Sequence, residues 1–159
     1  MKLDIKTVDL YNEILVIIFE EMDEQFQKKE LSVFVEGDEG FSTVSCDIRL
    51  IRVVLNNLIS NAVKYGEQDG KLCIRFSEEE NFLKISVTNT GEGVHKKEQR
   101  KIFKKFSQAD GTRHHGYRSS GLGLYNAKYI VKKHGGKIWA ESEFEKWFRV
   151  SFTLPRESN

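Results

Sequence analysis

Asn57, Asn61 and Lys64 stand one helical turn apart in Asn57-Leu-Ile-Ser-Asn61-Ala-Val-Lys64-Tyr65-Gly66, so a helix through this stretch sets two carboxamides and an ammonium on one stripe. Polar groups in that array make a candidate binding site. Val54, Leu55, Leu58, Ile59, Ala62 and Val63 take the opposite phase and supply an apolar face that can pack on a sheet. Asn is a mediocre helix former, and propensity does not account for three of them at positions 56, 57 and 61. A helix with solvated Asn is the plain alternative for this stretch taken alone.

Two glycine motifs extend the pattern. Asn89-Thr90-Gly91-Glu92-Gly93-Val94 leaves a strand-like run, and Gly121-Leu122-Gly123-Leu124 opens a helix-like one. A single GxG is ordinary turn chemistry, but two of them bracketing a basic segment are a stronger signal. Glycine lets backbone pass close to a ligand, and a helix N-terminus presents unpaired N–H groups to an anion. The anion that fits is a polyphosphate, with Lys64 and Arg118 as further positive partners. Asn61 would then offer an oxygen to Mg²⁺, which binds through few protein oxygens and keeps several waters.

The elements that must position these groups follow from hydrophobic period. Leu10, Ile14, Ile17, Ile18, Met22 and Phe26 predict an amphipathic helix over about 9–28. Runs at 31–35 and 41–46 read as two strands with a turn at Gly37–Gly40, and Asp47 is a plausible N-cap for the Asn-bearing helix. Lys71–Phe76 and Phe82–Thr88 alternate around a polar turn and predict a hairpin. A third helix over about 121–134 ends at Gly135-Gly136, with His134 placed as a cation at the helix end, and strands at 137–142 and 148–154 complete the chain. Residues 94–120 fit none of this. Rich in Lys, Arg, Gly and Ser, with a helix-like piece at 96–106, they read as a mobile lid with few core residues.

The chain has 159 residues and one proline, the size of a single domain, here read as one unit over 1–159 with a short disordered tail at about 156–159. Lys and Arg number 25 against 24 Asp and Glu, which gives no global basic field and argues against nucleic acid as a partner. Cys46 and Cys73 lie in apolar contexts and read as small core residues in a reducing compartment, not as zinc ligands or a disulfide. No apolar run reaches the roughly 20 residues that cross a bilayer. A cytoplasmic fragment without membrane contact is expected.

In order and spacing, NLISNAVKYG, NTGEGV, IFKKFSQ, GLGL and HGGKIWAES resemble the N, G1, F and G2 boxes and the following strand of the ATP-binding catalytic domain of sensor histidine kinases, in the superfamily shared with DNA gyrase, MutL and the heat-shock chaperone ATPases. The likeness covers almost the whole chain. It implies a two-layer α/β (α+β) sandwich, a mixed, mostly antiparallel sheet covered on one face by three helices, with ATP held between that layer and the lid. It implies that Asn57 and Lys64 contact phosphates, Asn61 ligates Mg²⁺, Tyr65 lines the nucleotide pocket and Asn89 reads the base. Gly91, Gly93 and Val94 match the G1 box, Ile102, Phe103 and Phe106 the F box, and Gly121, Leu122, Gly123 and Leu124 the G2 loop, with Arg118 and Ser120 just before it. The implied reaction is transfer of the γ-phosphoryl of Mg-ATP to a histidine on a separate helical module, which passes it on to a response regulator receiver domain. The fragment alone would then not autophosphorylate.

Two positions depart from the family pattern. Asn89 stands where Asp is usual, and its amide can turn over, so weaker discrimination between adenine and guanine is expected. Ser119 stands where the G2 box usually begins with glycine, which puts lid conformation in question. Both leave open a non-catalytic nucleotide-binding module. A gyrase-type hydrolase is disfavoured, because Asn56 and Asn57 occupy the place of its catalytic acid and no carboxylate there can activate water.

Overall fold

The structure, a computed structural model, describes residues 2–99, 101–104 and 123–156. Five strands form the main sheet in the order β2 (Ser32–Glu36), β4 (Lys71–Glu79), β5 (Phe82–Thr90), β7 (Trp147–Pro155) and β6 (Ile138–Glu143). β2 runs parallel to β4 and every other pair is antiparallel. The hairpin predicted from alternation is present, with Leu72 opposite Asn89 and Ile74 opposite Val87. One face carries Leu72, Ile74, Phe76, Leu83, Ile85, Val87, Phe148, Val150, Phe152 and Leu154, all buried in the core. The other face is shielded by its own long side chains: the Lys84 ammonium lies 5.4 Å from the Trp139 ring and the Arg149 guanidinium 4.8 Å from Trp147. Period 2 in the strands therefore decides which face receives the helices.

Three helices supply the second layer. In α1 (Val16–Lys28) Ile18, Met22 and Phe26 are buried, and a wider π-type stretch, Tyr11–Leu15, leads into it. Asp9 starts this segment by accepting from the Tyr11 and Asn12 N–H groups at 3.1 and 3.2 Å. In α3 (Ile48–Tyr65) the predicted apolar stripe is buried, and Asp47 caps it through the Arg49 and Leu50 N–H groups. Burial pushes the Asp47 carboxyl up, but backbone N–H donors and the Arg49 charge outweigh it and hold the group below its ordinary value. α4 (Gly123–Lys133) buries Leu124, Ala127, Ile130 and Val131 against the same core.

Several expectations need correction. β1 (Lys6–Asp9) was not legible, since it has four residues with one buried; it pairs antiparallel with β3 (Thr43–Cys46) in a small second sheet. The strands expected on either side of a turn, β2 and β3, lie in different sheets. Phe41 belongs to a short helix, α2 (Asp38–Phe41), that separates them, and β2 instead takes the register of β4 that places Val33 beside Leu72 and Val35 beside Ile74. His134 has a further role: its Nε2 accepts from the Asp47 N–H at 3.1 Å while Nδ1 faces the Ile130 carbonyl at 2.8 Å, so the ring ties the end of α4 to the start of α3. The start of the expected lid is anchored, because Val94 and Ile102 are core residues; its described part is turns and a 3₁₀ turn, Lys101–Phe103, with no α-helix. Residues 105–120 of that segment lie outside the described residues. Both cysteines are free; Cys46 is buried, and burial with the nearby Asp47 and Glu13 charges pushes its thiol up to about 12. Among the described residues no helix is long and apolar enough to cross a membrane.

Candidate nucleotide site

β5 ends on the feature that defines the site. Its core-facing row reads Leu83, Ile85, Val87 and then Asn89, a carboxamide standing between Leu72 of β4 and Phe148 of β7 in a position otherwise given to apolar groups. Asn89 is only 1% exposed. Its Nδ2 donates to the Thr90 carbonyl at 3.1 Å, while Oδ1 is buried with no partner among the described residues. An acceptor left unpaired in a core costs about 1–3 kcal/mol, so the oxygen fits a donor brought by a ligand, such as an exocyclic amino group.

The chain then leaves the strand through Gly91 and Gly93. A side chain on Gly91 would put Cβ 2.5 Å from the Tyr65 carbonyl oxygen, which is how α3 and the end of β5 come together, and Gly66 bridges Gly91. Gly93 has φ +71°, and a Cβ there would lie 2.5 Å from Ser142 Oγ. Ser142 Oγ accepts from the Val94 N–H and donates to the Trp147 carbonyl, both at 2.8 Å, so β6 and β7 fix the loop. The sequence assigned Ser142 no role, and it lies 48 residues from its partner.

The last turns of α3 bring up the second set. Tyr65 is buried with its ring 5.2 Å from that of Phe148, the residue opposite Asn89, which joins the two sets. Lys64 is also buried, at 7% exposure, with its ammonium 5.3 Å from the Tyr65 ring and no carboxylate paired with it among the described residues. Burial pushes Lys64 below its ordinary value. A buried cation without a counter-ion fits an anionic ligand. Asn61 is half-buried and its amide makes no hydrogen bond among the described residues, whereas Asn57 Nδ2 donates to the Gly123 carbonyl at 3.0 Å and so holds the start of α4 against α3. That bond gives Asn57 a positioning role the sequence did not predict.

Gly123 and Leu124 open α4, and Leu124, Val94 and Ile102 are buried together in the core. Phe106, Arg118, Ser119, Ser120, Gly121 and Leu122 lie outside the described residues. Among the described residues no three His, Cys, Asp or Glu side chains gather as a metal cage. A lone amide such as Asn61 suits Mg²⁺, which is held largely by water and phosphate oxygens, and would not suit zinc.

Residues 46–158 match the family of histidine kinase-, DNA gyrase B- and HSP90-like ATPases. The chain is 43% identical over 114 residues to the sensor histidine kinase WalK of Bacillus subtilis, a match covering 70% of this chain and 19% of that protein. It is 30% identical over 156 residues to the adaptive-response sensory kinase SasA of Gloeothece citriformis, covering 97% of this chain and 39% of that one. The chain thus spans less than half the length of these curated relatives. The solved catalytic domain of the histidine kinase ThkA superposes with a TM-score of 0.80 at 28% identity, over 98% of this chain and 97% of that domain. ThkA has also been solved in complex with the response regulator protein TrrA. Sequence motifs, fold and relatives agree: the chain belongs to the histidine kinase-, DNA gyrase B- and HSP90-like ATPase family and is an ATP-binding catalytic domain of the sensor histidine kinase type.

Proposed function

We propose that this domain binds Mg-ATP and donates the γ-phosphoryl group to a histidine on a separate helical module of its parent kinase. The observation that carries the reading is the buried Asn89 Oδ1, an acceptor with no partner among the described residues at the end of an otherwise apolar row, suited to the adenine amino group. Tyr65, packed on Phe148, lines the same end of the sheet. Lys64 supplies the charge for phosphates, and Asn61 would hold Mg²⁺, which when bound neutralises phosphate oxygens. Gly121, Leu122, Gly123 and Leu124 would close over the phosphates, with Arg118 and Ser120 as further contacts and Phe106 as an apolar support.

Catalysis on this reading is positioning and charge stabilisation, with the nucleophilic imidazole brought by the other module. Helix α3 contains no Asp or Glu, so it offers no base for water and does not favour hydrolysis as the main reaction. The complex of ThkA with a response regulator supports a receiver domain as the next acceptor in the chain of transfer. The test is nucleotide titration of the chain with and without Mg²⁺, followed by transfer of label from γ-labelled ATP on adding the parental helical module. Binding should require Mg²⁺ and labelled protein should carry an acid-labile phosphohistidine. Absence of nucleotide binding would overturn the reading.

A further inference from the structure

Helix α3 ends in the turn that carries Lys64, the residue proposed above to meet phosphate, and a helix C-terminus carries about half a negative charge on its unpaired carbonyls. That end should repel a polyphosphate. The structure supplies a counter-charge from an unrelated element. Lys29, the residue after α1, sends its ammonium to the carbonyls of Val63 and Gly66, the latter at 2.7 Å, and approaches that of Lys64 at 3.5 Å. Burial pushes Lys29 below its ordinary value, as it does Lys64. The backbone of the same segment is bound to the loop after α3: the Asp69 N–H donates to the Lys29 carbonyl at 2.7 Å, and Gln68 Nε2 to that of Lys28 at 3.1 Å.

Lys29 therefore holds the turn that bears Lys64 and Tyr65, and it cancels charge where an anion has to come close. Nothing in the sequence marks it, because the carbonyls it meets lie 34 to 37 residues away.

We propose that Lys29 is a positioning residue for the polyphosphate: it fixes the C-terminal turn of α3 and neutralises that end of the helix, so that Lys64 faces phosphate with its full charge. The proposal rests on the nucleotide reading above and extends it to a residue that does not itself touch the ligand.

The test compares wild type, Lys29→Met and Lys29→Arg in binding Mg-ATP by calorimetry and uncharged adenosine by NMR titration. Lys29→Met should weaken Mg-ATP about tenfold, the scale of a charge at a helix end, while leaving adenosine nearly unchanged. Lys29→Arg keeps the charge and should bind Mg-ATP close to wild type. If Lys29→Met is unfolded by circular dichroism, Lys29→Gln, which keeps a donor without the charge, is judged by the same criteria. Equal weakening of Mg-ATP and adenosine would show a merely structural cap and overturn the proposal, as would unchanged Mg-ATP binding in the neutral variant. Wild type that binds no Mg-ATP would instead overturn the nucleotide reading, and the phosphate role of Lys29 with it.

Discussion

The amide of Asn89 should select adenine over guanine, and its hydrogen bond to Thr90 sets the size of the preference. With Nδ2 donating to the Thr90 carbonyl, Oδ1 is held as an acceptor toward the ligand. Adenine brings an amino donor to that oxygen, whereas guanine brings a carbonyl. To receive guanine the amide must turn over, which breaks the Thr90 bond and sets Oδ1 against the Thr90 carbonyl in a site 1% exposed. Loss of a buried hydrogen bond with a partner left unpaired costs about 1–3 kcal/mol, which is roughly 5- to 150-fold in affinity. The weak discrimination expected from the sequence took the amide as free to rotate, and the Thr90 bond opposes that rotation. Competitive titration of ATP and GTP against a fluorescent nucleotide measures the ratio, and Asn89→Leu should bring it near one. Asn89→Asp keeps an acceptor toward the base and should keep the preference, but its second oxygen would face the Thr90 carbonyl, so the nucleotide-free variant should melt lower. Equal affinity of the wild type for ATP and GTP would show that Asn89 does not read the base.

Other residues give sharper single outcomes. Asn61→Ala removes a half-buried amide with no hydrogen bonds among the described residues, so circular dichroism should be unchanged while Mg²⁺-dependent ATP binding is lost; normal binding would remove Asn61 from the metal position. Lys64→Met should weaken ATP binding yet stabilise the nucleotide-free domain at neutral pH. A lysine whose folded value lies below its ordinary 10.5 binds fewer protons folded than unfolded, so its contribution to stability rises as pH climbs from the folded value toward the unfolded one. Urea melts at neutral and alkaline pH should show a smaller rise in the variant than in wild type. Ser142→Ala leaves the Val94 N–H and the Trp147 carbonyl without their bridge, and should lower stability by about 1–3 kcal/mol in thermal melts, with ATP affinity reduced because the glycine loop loosens.

What the sequence reveals depends on how local the cause is. The hairpin of β4 and β5 is legible because each strand runs nine residues with clean alternation, and α3 because its apolar stripe extends over five turns behind a capping Asp47. β1 and α2 have four residues each, too few for a period to show. The site residues divide the same way. Asn61, Lys64, Gly91 and Gly93 declare themselves by spacing, but the partner of Ser142 is 48 residues away and those of Lys29 are 34 to 37 away, so only the packed fold brings them together. The bridging role of His134 was hidden for the same reason, since it depends on the Asp47 N–H, 87 residues distant.

Two of the groups placed around the ligand by their sequence motifs, Asn89 and Lys64, carry polar atoms that the described residues leave unsatisfied. Asn89 Oδ1 lacks a donor and Lys64 lacks a counter-ion among the described residues, whereas the polar groups that only hold structure, such as Asp47, Ser142 and the Ser86–Ser151 hydroxyl pair at 2.9 Å, are bonded. A buried group without a partner destabilises the free domain, and a ligand that supplies the partner returns that energy only when it is bound. Nucleotide should therefore stabilise the domain by mass action, about 2.7 kcal/mol at a hundredfold excess over Kd. Because the partners are an amino group at one set of residues and phosphates at the other, neither adenosine nor inorganic triphosphate alone satisfies both. The melting shift with ATP should then exceed the shift with either fragment at the same concentration, which follows from the division of unpaired groups between β5 and α3.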